Sequence, residues 1–138
     1  MVDFVSQEKR SKIMRGVKSV DTKPEMLVRR ALHRLGYRFR LHRKDLPGRP
    51  DIVLPRHNLV VFVHGCFWHQ HTGCKDGRIP SSNTEFWVRK FSANQARDAK
   101  HIAALKELGW RVEVIWECQA REPDSLSARL TELFARND

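Results

Sequence analysis

Side chains that bind metals are concentrated between residues 64 and 74. This segment holds three of the seven histidines and two of the three cysteines of the chain. It reads His64-Gly65-Cys66-Phe67-Trp68-His69-Gln70-His71-Thr72-Gly73-Cys74. Thiolate and imidazole groups are the ligands that tetrahedral zinc prefers in structural sites.

A fourth zinc ligand must come from elsewhere in the chain. Cys118 is the remaining cysteine, and it follows a predicted strand that a sheet could place beside the loop. We therefore predict one structural Zn²⁺ held by Cys66, one of the histidines, Cys74 and Cys118. The alternative is a set of buried free cysteines beside polar loop histidines, and the interleaving of the two residue types fits it poorly.

A carboxylate and two aromatic residues are the next candidates. Asp51 begins an apolar strand beside the His-rich loop, and a carboxylate at a strand end is a suitable Mg²⁺ ligand. Taken alone, an Asp after Pro50 is more often a turn cap or a partner for Arg49. Phe67 and Trp68 stand between polar loop residues, which suits wedges that insert between DNA bases better than core positions.

The positive charge of the chain lies mainly in its first third. Residues 1–50 hold 14 Lys and Arg against 5 Asp and Glu, whereas residues 51–138 hold 12 against 11. Such a basic segment attracts a polyanion by releasing its counterions, which favours nucleic acid over a merely solvated face. The longest apolar run, Leu59 to Val63, has five residues, so we expect no transmembrane helix. The basic segment has few large apolar residues to anchor it on a membrane surface, so we expect no membrane partner.

Hydrophobic periodicity predicts the elements that position these residues. The order is α-β-β-β-α-β-α, which favours a mixed sheet with helices on both faces in one α/β domain, residues 1–138. Residues 1–21 show weak periodicity and are predicted to be a basic DNA-binding arm or a short helix. The predicted elements are a helix capped by Thr22 and stopped by Gly36, strands at Tyr37–Leu41, Asp51–Leu54 and Leu59–Val63, a helix capped by Thr84 and running to about Leu108, a strand at Trp110–Trp116 and a helix at Pro123–Ala135.

Several polar and aromatic residues also have ordinary structural explanations. Glu25 is placed for a capping box with Thr22, and Asp98 could pair with a basic neighbour on the surface of its helix. His33, His42, His57 and His101 have no neighbouring cluster in the sequence and are predicted to be surface or core residues. Trp110 and Trp116 alternate with valines in a strand, which predicts core aromatics.

Several sequence blocks, in order along nearly the whole chain, resemble the very-short-patch repair (Vsr) endonucleases of bacteria. The most specific block is His64-Gly65-Cys66-Phe67-Trp68-His69. The others are Arg10-Ser11-Lys12 with Met14-Arg15, Thr22 to Glu25, Leu46 to Asp51, Val61 to Val63, Thr84 to Trp87, Asn94 to Asp98, Leu108 to Val112 and Trp116 to Cys118.

The resemblance implies a fold, an activity and a setting. The fold would be a restriction-endonuclease-like, three-layer α/β fold with a mixed sheet flanked by helices and a structural zinc site. The activity would be Mg²⁺-dependent nicking of double-stranded DNA 5′ of the T in T·G mismatches left by deamination of 5-methylcytosine. We would expect a cytoplasmic, nucleoid-associated monomer with a functional link to a DNA cytosine methyltransferase and to repair proteins.

The resemblance also implies roles for individual residues. The Mg²⁺ ligands would be Asp51 and the main-chain carbonyl of Val63, with two ions expected, and the general base would be His69. The supporting catalytic residues would be His64, Glu25 and Asp98; the zinc ligands Cys66, His71, Cys74 and Cys118; the inserting aromatics Phe67, Trp68 and Trp87; and the residues of the DNA-binding arm Lys12, Met14 and Arg15.

One departure and two rival functions accompany this interpretation. Val63 stands where a Thr is familiar, which changes nothing if the metal uses only the main-chain carbonyl. One rival is a zinc-stabilised DNA-binding module without catalysis, which would have no need of Asp51 or His69. The other is a sequence-specific restriction nuclease of the same fold, which predicts a symmetric dimer because two strands must be cut.

Overall fold

The computed structural model describes residues 22–71, 74 and 78–135. The predicted DNA-binding arm, with Lys12, Met14 and Arg15, lies outside these residues. The described chain forms four strands, four α-helices and a 3₁₀ turn. They are α1 (Lys23–Arg34), β1 (Arg40–Leu41), β2 (Ile52–Leu54), the 3₁₀ turn (Pro55–His57), β3 (Leu59–His64), α2 (Thr84–Glu107), β4 (Arg111–Trp116), α3 (Glu117–Arg121) and α4 (Pro123–Ala135).

Helix α1 begins and ends where its sequence predicts. The Thr22 hydroxyl accepts a hydrogen bond from the Glu25 N–H at 3.3 Å, which satisfies one of the free donors at the helix start. Leu35 follows the last turn, and Gly36 then adopts φ +86°, a left-handed conformation that glycine takes without strain. The Glu25 side chain is buried and contacts residues outside this cap, so the cap does not account for it.

The four strands form one mixed sheet in the order β1-β2-β3-β4. The pairs β1–β2 and β2–β3 are antiparallel, and β3–β4 is parallel with His64 opposite Trp116 at its end. The strand predicted at Tyr37–Leu41 is shorter than expected, since only Arg40 and Leu41 pair with β2. Pro55 ends β2 by beginning the 3₁₀ turn and has no N–H to offer a partner strand, which limits this pairing.

Helices cover both faces of the sheet, as predicted. Alternate residues of β2 and β3 point to opposite faces, and nearly all of them are buried. One face packs against α1, α3 and α4, and its buried residues include Leu32, Ile52, Leu54, Val61, Ile115 and Leu130. The other face packs against α2, and its buried residues are Leu46, Val53, Val60, Phe62 and Leu105.

The second half of the chain departs from prediction at two points. Asn83, at φ +55°, is the N-cap of α2, whereas the Thr84 hydroxyl donates to the carbonyls of Pro80 and Ser81. The short helix α3 was not predicted, and at its start the Gln119 side chain accepts from the Trp116 N–H at 2.9 Å. The final helix, Pro123–Ala135, has the predicted bounds. Among the described helices, none is both long and apolar enough to cross a membrane.

Candidate active site

A cavity of about 400 Å³ opens where the start of β2 meets the end of β3 and one side of α2. Its walls include Asp51, Val63, His64, His69 and Asp98, for which the family resemblance implies catalytic or Mg²⁺-binding roles. The cavity wall also carries the cationic residues Arg49 and Arg97. Positive charge beside carboxylates and imidazoles is suitable for binding a phosphodiester group and acting on it.

The four predicted zinc ligands converge beside this cavity. One ligand atom from each of Cys66, His71, Cys74 and Cys118 lies within 4.8 Å of every other. His71 Nδ1 lies 3.7 Å from Cys66 Sγ and 3.5 Å from Cys118 Sγ. Helix α3 brings Cys118 to the loop, where the Cys118 N–H donates to Cys66 Sγ at 3.4 Å.

These distances fit a tetrahedral ion. Zinc–sulfur bonds of about 2.3 Å and zinc–nitrogen bonds of about 2.0–2.1 Å place sulfur and nitrogen ligands about 3.6 Å apart in a tetrahedron. Burial raises the pKa of the Cys66 thiol to about 12, which disfavours a thiolate that has no cation beside it. The donor set, the spacing and the burial together suit a closed metal site that ties the loop to α3.

His69 forms a dyad with Asp98 across the cavity. His69 Nδ1 and Asp98 Oδ2 are 2.6 Å apart, and the contact joins the loop to helix α2. Burial raises the pKa of Asp98, but the hydrogen bond to His69 outweighs this effect and leaves that pKa below its ordinary value. Asp98 is therefore a carboxylate at neutral pH, and its Oδ2 accepts a hydrogen bond from Nδ1–H of His69. This arrangement leaves Nε2 as the basic nitrogen of the ring.

His64 fixes the plane of the His69 ring. The two imidazoles stack with centroids 3.8 Å apart and planes 7° apart. Burial, with the nearby His69, lowers the pKa of His64 to about 4, so this ring is neutral at neutral pH. A neutral His64 ring can stack on His69 without electrostatic repulsion when His69 becomes protonated.

Asp51 and Glu25 face each other at the start of β2. Glu25 is 1% exposed, and its carboxylate accepts a hydrogen bond from Arg29 and lies 2.7 Å from His42 Nε2. The N–H of Val63 donates to Asp51 Oδ2 at 2.7 Å. Burial, with the charge of Glu25, raises the pKa of Asp51 to about 7, and a buried carboxylate beside a partly buried one suits a divalent cation.

The predicted DNA-inserting aromatics form a cluster on α2 and the loop. Phe67 and Trp68 are half-buried, and both pack against Trp87 and Phe91. Trp87 is fully buried, and its indole N–H has no hydrogen-bond partner among the described residues. In this conformation Trp87 supports the two loop rings from below, so its side chain does not reach the surface as an inserting residue must.

Three other side chains have more specific surroundings than the sequence indicated. His42 lies in the Asp51–Glu25 cluster, and His101 lines the cavity and packs against Gly48, where an added Cβ would lie 2.8 Å from His101 Cβ. Trp116 is more than a core aromatic, because it stacks on His71 at 4.2 Å and meets His64 edge-on at 5.4 Å. Spacing along the chain carried no signal for these contacts, since each joins separate elements.

The comparisons with known proteins agree with this geometry. Residues 2–75 match the protein family described as DNA mismatch endonuclease Vsr. The chain is 53% identical over 134 residues to the type II nicking enzyme V.XorIIP of Xanthomonas oryzae, with 97% of this chain and 98% of the relative covered. It is 42% identical over 127 residues to the DNA mismatch endonuclease Vsr of Escherichia coli, with 92% and 81% covered.

A third relative extends the same pattern. The chain is 44% identical over 133 residues to the type II nicking enzyme V.NmeAIP of Neisseria meningitidis, with 96% of this chain and 94% of the relative covered. The family match spans more than half of the chain and includes the Asp51 and His69 regions. The cavity is suitable for acting on a phosphodiester, and the relatives are named as DNA endonucleases or nicking enzymes. The chain is therefore an endonuclease that acts on DNA, and it belongs to the Vsr family of DNA mismatch endonucleases.

Proposed function

We propose that this endonuclease nicks double-stranded DNA 5′ of the T in a T·G mismatch, in a Mg²⁺-dependent reaction that starts very-short-patch repair. The observation that carries the proposal is the placement of two chemically different groups in one cavity. A carboxylate suited to a cation, Asp51, and a histidine–carboxylate dyad, His69–Asp98, both line it.

The dyad supplies the base. A water attacking the phosphorus must lose a proton, and Nε2 of His69 is the nitrogen left free to take it. Asp98 stabilises the imidazolium that forms, and His64 keeps the ring in its plane. Arg49 and Arg97 are placed to bind the phosphate oxygens.

The carboxylate site supplies the place for a cation. Asp51 Oδ2 is oriented by the Val63 N–H, and Glu25 faces it from α1. We propose that Asp51 and the main-chain carbonyl of Val63 hold Mg²⁺, with Glu25 supporting the bound water, and that a second ion binds with the DNA. When bound, Mg²⁺ supplies charge neutralisation on the phosphate and the departing oxygen.

The Cys/His cluster supplies rigidity. We propose that Cys66, His71, Cys74 and Cys118 hold one structural Zn²⁺. This ion ties both ends of the segment that carries Phe67, Trp68 and His69, so the base and the aromatic rings keep fixed positions. We also propose that the fold is restriction-endonuclease-like, because its mixed sheet lies between layers of helices.

The aromatic rings provide the preference for the mismatch. Phe67 and Trp68 retain partial exposure above the buried Trp87, and insertion between base pairs requires unstacking. A T·G wobble pair stacks less well than a matched pair, so insertion costs less there. The chain acts as a monomer, with Lys12, Met14 and Arg15 of the basic arm holding the duplex.

A strand-resolved nicking assay tests the proposal. The substrate is one duplex with a central T·G pair, each strand labelled in turn, with T·A and C·G duplexes of the same flanking sequence as controls. We expect a Mg²⁺-dependent cut in the T strand, 5′ of the mispaired T. Equal cutting of matched duplexes would exclude mismatch specificity, cutting of both strands would indicate a restriction nuclease, and saturable binding without cutting would indicate a binding module.

A further inference from the structure

His42 lies in the carboxylate site although its sequence position predicts no role. Its Nε2 is 2.7 Å from Glu25 Oε2, and single ligand atoms of Glu25, His42 and Asp51 all lie within 4.8 Å of one another. An imidazole nitrogen beside two carboxylates forms a mixed nitrogen and oxygen ligand set. The site is therefore chemically different from one built of oxygen atoms alone.

The backbone holds His42 in this position. The His42 N–H donates to the Asp51 carbonyl at 3.3 Å, which ties the two residues together across β1 and β2. His42 has φ +46°, a left-handed conformation that a residue other than glycine adopts at a cost. The side chain is 17% exposed and lines the catalytic cavity, so its ring is open to an ion that enters there.

Glu25 does not depend on His42 for charge compensation. Arg29, one helical turn away on α1, forms an ion pair with the same carboxylate. The His42 ring is therefore not needed to neutralise Glu25 and is available to bind a cation. Before an ion binds, the 2.7 Å contact is a hydrogen bond that Nε2–H of His42 donates to the Glu25 carboxylate. When a cation binds, this proton moves through solvent to Nδ1, and the Nε2 lone pair replaces the hydrogen bond with a bond to the ion.

We propose that His42 is a nitrogen ligand for the divalent cation at Asp51 and Glu25, and that it gives this site a preference for Mn²⁺ over Mg²⁺. The inference rests on the proposed function in one respect, namely that a cation binds at Asp51. Imidazole suits transition metals, whereas Mg²⁺ prefers oxygen ligands and retains its waters. The nitrogen ligand therefore raises the affinity for Mn²⁺ and changes that for Mg²⁺ little.

Mn²⁺ binding to the purified zinc-containing protein tests the inference, using EPR to count free Mn²⁺ and Mg²⁺ as competitor. The variants are His42→Gln and His42→Ala. Gln is the matched control because its amide can still donate a hydrogen bond to Glu25 but offers no ring nitrogen. Pulsed EPR of the bound Mn²⁺ adds a direct readout, since a coordinated nitrogen nucleus modulates the signal.

We expect both variants to lose the nitrogen modulation and to bind Mn²⁺ about tenfold or more weakly, with Mg²⁺ affinity changed by less than about threefold. If His42→Gln keeps the wild-type ratio of Mn²⁺ to Mg²⁺ affinity, His42 only positions Glu25 and the inference is wrong. A wild-type protein that binds no Mn²⁺ would also overturn it.

Asp51→Asn separates the inference from the proposed function. If Asp51→Asn abolishes Mn²⁺ binding while His42→Gln leaves it intact, the cation site stands and only the role of His42 fails. If Mn²⁺ binds equally well to wild type and Asp51→Asn, the cation does not use Asp51, and the proposed metal site fails together with the inference.

Discussion

The side chains of His69 and Asp98 meet through a contact of 2.6 Å between Nδ1 and Oδ2, although 29 residues separate them in sequence. The contact holds the loop that follows β3 against helix α2 and fixes which ring nitrogen carries the proton. The Asn94 side chain reinforces the same junction by donating to the Trp68 carbonyl at 3.1 Å. The geometry of the base therefore depends on the packing of α2 as well as on the loop.

Asp98→Asn should lower the nicking rate by about 10²–10⁴-fold, the usual range for losing an oriented general base. The substitution removes the charge that stabilises the imidazolium and allows the wrong ring nitrogen to carry the proton. DNA affinity should stay within about threefold, because the contacts of basic residues with phosphates, which dominate affinity, are retained. Single-turnover nicking and a binding isotherm on the same T·G duplex measure both quantities, and an unchanged rate would remove Asp98 from the dyad.

Asp51→Asn should stabilise the protein in buffer without added Mg²⁺, and more so at pH 8 than at pH 5. The pKa of Asp51 is raised to about 7 in the folded chain against 3.8 in the reference state. The folded state therefore binds the proton more tightly, and the carboxylate costs stability progressively as pH rises from about 4 to about 7.

The raised pKa of Asp51 corresponds to a stabilisation on the order of 1–4 kcal/mol at pH 8 when the charge is removed. Asn is the suitable replacement because its side-chain oxygen can still accept the hydrogen bond from the Val63 N–H. Urea unfolding at the two pH values measures it. Equal destabilisation at both pH values would show that Asp51 is not held as a buried, unfavourable charge.

Cys118→Ser should release the zinc and reduce the thermal unfolding midpoint by roughly 10 °C, as expected from a loss of about 3 kcal/mol or more in a domain of this size. The expected metal content falls from one zinc per chain to near zero. Elemental analysis with a thermal unfolding scan checks both. Full zinc content in the variant would exclude Cys118 as a ligand.

Trp68→Ala should weaken binding to a T·G duplex by about 1–3 kcal/mol, the usual contribution of one base–aromatic stack. Binding to the matched T·A duplex should change much less, because phosphate contacts dominate it. Isotherms for both duplexes at one salt concentration give the comparison. Equal losses on the two duplexes would show that Trp68 supports the fold or the general grip.

Trp87 provides a matched control for Trp68, because it belongs to the same cluster but is buried. Trp87→Ala should cost about 3–5 kcal/mol of unfolding free energy through the cavity it leaves. Trp87→Phe should cost much less, since it also removes a buried N–H that has no partner in the described part of the chain. A large effect of Trp87→Phe on T·G binding alone would show that this ring reaches the DNA after all.

The features that the sequence predicted well are those with a local signal. The capped start of α1, the two glycines with positive φ that follow α1 and α2, and the bounds of α4 all depend on neighbouring residues. The convergence of Cys66, Cys74 and Cys118 with one loop histidine was also predicted, because most of these residues are close in sequence and one cysteine remained as the fourth candidate. Spacing left the histidine open, and the family resemblance identified it as His71.

The features that the sequence did not predict depend on tertiary contacts. His42 shows no pattern with Glu25 or Asp51, and only the pairing of β1 with β2 brings it to them. The burial of Trp87 follows from the way α2 crosses the loop, which periodicity does not reveal. Helix α3 has five residues, too few for a periodic pattern to stand out.

The rate at which Asp51→Asn nicks a T·G duplex under single-turnover conditions, with Mg²⁺ present and the protein saturating, tests the central claim most directly. The account predicts that this rate falls by about 10³-fold or more, because the catalytic cation loses its carboxylate ligand. The variant should still bind the duplex and keep its zinc, because the substitution leaves the fold intact. A rate within tenfold of wild type would contradict the claim that the cavity between Asp51 and His69 is where the DNA strand is cut.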